Sequence, residues 1–135
     1  MLGKEKYYKL TENLNAHQEV IELVEKLNKK GVAIDLGCGA GRDTVYLIKN
    51  GWRVIAIDSI NTSEIINTKL NSTENKNLDF VERDFVKVDL PENDLTVAYF
   101  SLQFCKKDDF YELWQRIRGS INKSRIFCGY LFRGK

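Results

Sequence analysis

The sequence predicts an α/β fold, a three-layer sandwich built on a mostly parallel sheet of about five strands. Three observations carry this. Short, nearly continuous apolar runs recur at 32–36, 53–57 and 95–100, and such runs suit parallel strands buried on both faces. Segments with apolar residues at helical spacing alternate with them. Each connection is also long enough for a right-handed crossover.

The elements follow in order. From Asn15 to Lys30, the positions Ala16, Val20, Ile21, Leu23, Val24 and Leu27 recur near helical spacing. Acids precede bases along this segment, which matches the helix dipole, and Gly31 reads as its stop. Val32 to Leu36 is the first strand, and Gly37-Cys38-Gly39-Ala40-Gly41 follows it directly. Arg42 to Asn50 resumes helical spacing, and Arg53 to Asp58 is a second strand ending on a carboxylate. A helix over Thr62–Leu70, a polar turn over Asn71–Asn77 and a third strand over Leu78–Glu82 come next. Leu95 to Phe100 forms a fourth strand, Asp108 to Arg118 a helix, and Arg125 to Leu131 the last strand.

Composition narrows the function classes. The 135 residues, 43% of them apolar, suffice for one domain with a real core. The 21 basic and 19 acidic residues leave a net charge of +2, not the concentrated basic surface of a nucleic-acid binder. Residues 107–135 carry +4, a mild excess that a solvated helix face accounts for. Three scattered cysteines do not make a disulfide scaffold or a zinc site, so a reducing, cytoplasmic setting is expected. No apolar run reaches the roughly 18 residues of a membrane span, and no signal peptide is evident. No second ligand supports the single histidine, so no metal is expected.

Chemistry concentrates at the glycine loop. Glycine permits positive φ and lets a ligand approach the backbone, while the helix start beyond it favours an anionic group. The spacing is G-x-G-x-G, which differs from the dinucleotide fingerprint and lacks a P-loop lysine. Asp58 lies 23 residues after Asp35, where a carboxylate can accept hydrogen bonds from two vicinal ribose hydroxyls. Asp84 and Phe85, just past the third strand, are placed to meet an exocyclic amine and an aromatic face. Asp35 is a charge inside an apolar strand, which needs a partner such as a cationic amine. Each also has an ordinary reading: Asp58 as a cap, Asp84 as a turn residue, Phe85 as core. Cys38 reads as a small buried spacer.

Asp35-Leu36-Gly37-Cys38-Gly39-Ala40-Gly41 resembles the first motif of class I S-adenosylmethionine-dependent methyltransferases. Ser101-Leu102-Gln103-Phe104-Cys105, with Phe110, Leu113-Trp114, Ile117 and Phe127 to Phe132, is similar to their small bacterial tellurite-resistance-like branch. The likeness runs from about Tyr7 to the end. It implies a Rossmann-like domain over 1–135, with an N-terminal lid and helix over 1–30 and the core over 31–135. It further implies that Gly37, Cys38, Gly39 and Gly41 cradle the methionine part of the cofactor, S-adenosyl-L-methionine, near Asp35. Asp58 and neighbouring Ser59 would hold the ribose, Asp84 and Phe85 would meet the adenine, and Phe100 and Ser101 would line the other side. Tyr7 and Tyr8 resemble a lid pair, and His17, Gln103 and Phe104 are possible acceptor-facing residues. The family sheet has seven strands, so this chain is expected to be C-terminally shortened to about five. A homo-oligomer covering the last strand's edge is one consequence.

The expected reaction is in-line methyl transfer to a small-molecule acceptor, which needs alignment and exclusion of water more than acid–base work. A soft acceptor such as a thiol, selenide or reduced tellurium species would need little deprotonation help. An oxygen or nitrogen acceptor would need a base unless its own pKa were low, and no residue stands out in the sequence as one. Three rivals stay open: an inactive or truncated cofactor-binding protein, an RNA or protein methyltransferase, and an NAD-dependent oxidoreductase.

Overall fold

A computed structural model describes residues 13–84, 87–99 and 106–129, the last nine as backbone. Strands β1 (Val32–Leu36), β2 (Arg53–Asp58), β3 (Leu78–Glu82), β4 (Asn93–Ala98) and β5 (Ile121–Gly129) make one sheet. Its order is β3-β2-β1-β4-β5, and every neighbouring pair is parallel. This is the predicted five-strand parallel sheet. Because β1 lies between β2 and β4, the chain reverses its direction of travel across the sheet there, and a crevice opens beyond the C-terminal ends of β1 and β4.

The first three strands have the predicted bounds. β1 and β2 are almost wholly buried, as near-continuous apolar runs require. Helices α1 (Gln18–Lys26) and α2 (Arg42–Lys49) pack on one face of the sheet. Val20, Val24, Leu47 and Ile48 meet Ala33, Val54, Leu95 and Val97 in that core. On the other face, α4 (Lys107–Ser120) sets Leu113 and Ile117 against Ile34, Leu36, Ile57 and Ala98. Each fully buried leucine or isoleucine there contributes about 2 kcal/mol of transfer free energy.

Several predicted bounds are corrected. The helix expected over Asn15–Lys30 is confined to Gln18–Lys26. Its start is set by His17, which is fixed in an extended conformation as the N-cap. At the other end Leu27 turns extended and packs on the core. Gly31 is therefore not the helix stop. Its missing side chain makes room for Asp94, whose carboxylate would lie 2.0 Å from a Cβ there and accepts a hydrogen bond from Val32 N–H at 2.9 Å.

The helix expected over Thr62–Leu70 shrinks to α3 (Ser63–Asn67). The run Ile65-Ile66-Asn67-Thr68 is poor in helix formers, and Lys69 and Leu70 close the end with tight three-residue bonds. β4 begins at Asn93, two residues before the predicted start, because the Asn93 side chain is tied inside. Its amide donates to Pro91 O at 3.0 Å and Ser120 Oγ at 3.1 Å, and its oxygen accepts from Thr96 Oγ1 at 2.8 Å. The chain passes from α4 into β5 at residue 121, four residues before the predicted strand start, with an irregular register between Asn93 and Leu95.

Candidate functional site

The turn leaving β1 is anchored to the end of β2: Gly37 N–H and Cys38 N–H both donate to Ile57 O, at 2.7 and 3.0 Å. Gly37, Gly39 and Gly41 all take positive φ, 72°, 55° and 83°. Two of them carry the argument. At Gly39 the left-handed backbone directs the N–H to Asp58 Oδ2 at 2.9 Å. At Gly41, the N-cap of α2, a Cβ would lie 2.5 Å from the Ile66 side chain of α3. Here glycine serves both conformation and close packing.

Asp58, 5% exposed, also accepts from Ile60 N–H at Oδ1, at 3.1 Å. The carboxylate thus clasps the loop on both sides of β2's end. Ser59 beside it is exposed.

Asp35 is different. It is 4% exposed and accepts a hydrogen bond from Thr44 Oγ1 at 2.6 Å. Burial, the neighbouring Asp43 and, less strongly, Asp58 push its carboxyl up to about 8 against the restraint of Thr44. A carboxyl placed so deep among carboxylates is stabilised by any cation that reaches it.

Cys38 is a free, buried thiol 4.0 Å from Thr62 Oγ1. Burial first, then Asp35 and Asp58, push it well above the usual thiol range, so it is held as an inert spacer. Thr62 donates to Gly39 O at 2.5 Å and braces the loop from the side of α3.

Asp84 lies exposed, two residues past the end of β3. Arg83 N–H donates to Asp58 O at 2.9 Å, so this segment runs beside the end of β2. Tyr7, Tyr8, Phe85, Phe100, Ser101, Gln103 and Phe104 lie outside the described residues.

His17 belongs to this same end of the sheet. Its backbone N–H donates to Asp43 Oδ1 at 2.8 Å, and its Nδ1 sits 2.7 Å from Asp43 Oδ2. Its ring stacks on Tyr99 with centroids 3.9 Å apart and planes 9° apart. Arg42 Nε donates to Asn15 O at 2.6 Å, fastening the same segment to α2.

The structure therefore brings Asp35, the loop glycines, Cys38, Asp58 and His17 to one end of the sheet. Sequence reasoning missed Asp43, Thr44, Thr62 and Tyr99. Asp43 and Thr44 stand in the first turn of α2, where polar residues are ordinary, and only their burial distinguishes them. The one available signal was two short polar side chains directly after a glycine loop. Among the described residues no group of three or more His, Cys, Asp or Glu is arranged to hold a metal ion. No described helix is long and apolar enough to cross a membrane.

Comparison with known proteins agrees with this architecture. The chain is 25% identical to the carboxy-S-adenosyl-L-methionine synthase of Campylobacter concisus, over 90% of this chain and 51% of that protein. It thus spans about half that relative's length. Among solved structures it is similar to TehB from Haemophilus influenzae, with TM-score 0.73 and 22% identity, covering 92% of this chain and 44% of that one. The glycopeptide N-methyltransferase MtfA complexed with sinefungin has TM-score 0.72 and 18% identity, covering 84% and 48%. These two likenesses show a shared fold. The model of the tellurite resistance protein TehB family matches residues 1–124, and with nearly the whole chain covered, this protein belongs to the TehB family.

Proposed function

We propose that this chain binds S-adenosyl-L-methionine at the glycine loop and transfers its methyl group to a small-molecule acceptor. The observation that carries this reading is the pair of buried carboxylates, Asp35 and Asp58, flanking a three-glycine turn at the point where the strand order reverses. Open α/β sheets bind their ligands at that point. Relatives whose names include S-adenosyl-L-methionine chemistry support the choice of cofactor.

The residues present fit such a ligand. Asp35 would face the ammonium group, since a cation relieves the crowding of carboxylates around it. Asp58, at the C-terminal end of β2 beside the glycine loop, would accept from the ribose hydroxyls. Gly37, Gly39 and Gly41 would admit the methionine part close to the backbone. Ser59 and Asp84, exposed at the neighbouring strand ends, would line the nucleoside side, and Asp84 would meet the adenine amine. When bound, the cofactor supplies an electrophilic methyl group on a positively charged sulfur. The protein's part is to align the acceptor and exclude water.

The small-molecule acceptor follows from charge. A net +2 offers no concentrated surface for RNA. The free Cys38 suits a reducing compartment, the bacterial cytoplasm in this reading.

Calorimetric titration with S-adenosylhomocysteine tests the proposal. Saturable binding near one molecule per chain is expected, at micromolar affinity. A folded chain that shows no binding heat and no thermal shift overturns it, and a response to NAD(H) instead points to the oxidoreductase alternative.

A further inference from the structure

Three carboxylates crowd the end of the sheet where the strand order reverses. Asp35, Asp43 and Asp58 come from β1, α2 and β2, and none is more than 5% exposed. Ionising three buried carboxylates side by side is unfavourable, and the one with the poorest set of donors takes up a proton. The donors are unequally shared. Asp58 accepts from the Gly39 and Ile60 N–H groups, at 2.9 and 3.1 Å. Asp43 accepts from the His17 N–H at 2.8 Å, and its Oδ2 stands 2.7 Å from Nδ1 of the His17 ring. Asp35 draws on one residue, Thr44, through its hydroxyl at 2.6 Å and its backbone N–H. Its register partners on β2 and β4 are the apolar Ala56 and Val97. Cys38, on the loop beyond it, is pushed well above the usual thiol range and stays a thiol.

We propose that this chain takes up the cationic amino-acid end of its cofactor in exchange for a proton: Asp35 is a carboxylic acid in the cofactor-free chain and a carboxylate once an ammonium group sits at the glycine loop. This rests on the cofactor reading above and adds to it a pH control on cofactor binding. In the exchange the O–H bond of the Asp35 carboxyl breaks and the proton leaves to solvent. The electron pair stays on the carboxylate, whose charge the incoming ammonium balances. Direct contact is not required, because among buried groups a charge acts across several ångströms.

Burial first, then Asp43 and, less strongly, Asp58 hold the carboxyl up at about 8 against the two bonds from Thr44. At pH 7 about nine chains in ten therefore carry the proton before the cofactor arrives. Protons that leave on binding make affinity rise with pH. His17, paired with Asp43, is the other titratable group at this end, and the comparison of variants separates its contribution from that of Asp35.

Calorimetric titration of the 135-residue chain with S-adenosylhomocysteine, at pH 7 in PIPES, HEPES and imidazole buffers, counts the protons. The observed heat varies with the ionisation heat of the buffer in proportion to their number. Release of close to one proton per ligand is expected. Asp35→Asn keeps His17, Asp43 and Cys38 in place, so its count is theirs, and it should fall below about a third of a proton. The same low count is expected when the wild type binds 5′-methylthioadenosine, which keeps the nucleoside and the sulfur but has no ammonium group. The wild type's affinity for S-adenosylhomocysteine should rise nearly ten-fold, roughly, from pH 6 to pH 7 and level off above pH 8. The ligand's ammonium stays charged over that range.

Binding of S-adenosylhomocysteine with less than about a third of a proton released, or with an affinity that is flat in pH, overturns the proposal. Equal release by wild type and Asp35→Asn overturns it too, and so does equal release for the two ligands. Where the variant binds too weakly to titrate, the two ligands and the pH profile of the wild type decide. A folded chain that binds neither ligand overturns the cofactor reading itself, and the proposal falls with it; binding without proton release overturns the proposal alone.

Discussion

Two carboxylates stand at the ends of adjacent parallel strands, and they are held differently. Asp58, the last residue of β2, is 5% exposed, and Asp35, one residue before the end of β1, is 4% exposed. Around Asp58, backbone N–H groups of Gly39 and Ile60 converge at 2.9 and 3.1 Å. Around Asp35 the only donors come from Thr44, its hydroxyl and its backbone N–H, and burial with Asp43 and Asp58 outweighs them. Equal burial therefore has unequal consequences. What decides is the balance of donors against neighbouring carboxylates, because an unmet buried charge costs several kcal/mol, roughly. Asp58 is part of the loop's architecture. Asp35 is a buried carboxyl crowded by two others.

Gly39→Val should break the comparison most severely. A β-branched residue at φ 55° is strained and would pull the N–H away from Asp58. Loss of S-adenosylhomocysteine binding by more than about 100-fold, an order consistent with several lost contacts, is expected by calorimetry, with a smaller drop in melting temperature. Normal binding by this variant removes the loop from the site.

Asp58→Ala comes next. It strands the Gly39 and Ile60 N–H groups and removes the acceptor proposed for ribose hydroxyls, so binding should weaken by roughly 1–3 kcal/mol. An unchanged dissociation constant would show that Asp58 only shapes the turn.

Asp35→Asn sharpens the contrast, because stability and binding should move in opposite directions. The carboxyl's ordinary value is 3.8, and in the fold it is raised to about 8. Between those values the folded chain holds more protons than the unfolded chain. Its contribution to stability is complete below the ordinary value and is lost as the pH rises through about 8. The cofactor-free wild type should lose melting temperature across that window. Asp35→Asn should flatten the slope and melt a few degrees higher at pH 8, while binding the cationic cofactor more weakly. An identical slope in the two proteins would mean that Asp35 does not titrate there.

The smallest effect is expected for Thr44→Val, which removes the one hydroxyl on Asp35. A loss of about 1 kcal/mol in denaturant unfolding is expected, together with a pH dependence steeper than the wild type's. Unchanged stability would show that this hydrogen bond is neutral.

The strands at 32–36, 53–58 and 78–82 and the glycine loop were legible in the residues, and so were Asp35 and Asp58 as its carboxylates. Continuous apolar runs and a turn needing positive φ are local properties, and neighbours in the chain suffice to express them. Element ends were less legible, since distant contacts set them: His17 on Asp43 shortens α1, and the tied Asn93 side chain moves the start of β4.

What the sequence determined by itself was the alternation of strand and helix, and with it a mostly parallel sheet of about five strands and the edge proposed to bind a ligand. Which groups surround each carboxylate was decided only by tertiary structure. Thr44 reaches Asp35 from the next element, Thr62 braces Gly39 across 23 residues, and Asp43 holds His17 across 26. Periodicity reports which face of an element is buried. It carries no record of which polar side chains from separate elements meet there, and that meeting sets the electrostatics around each carboxylate.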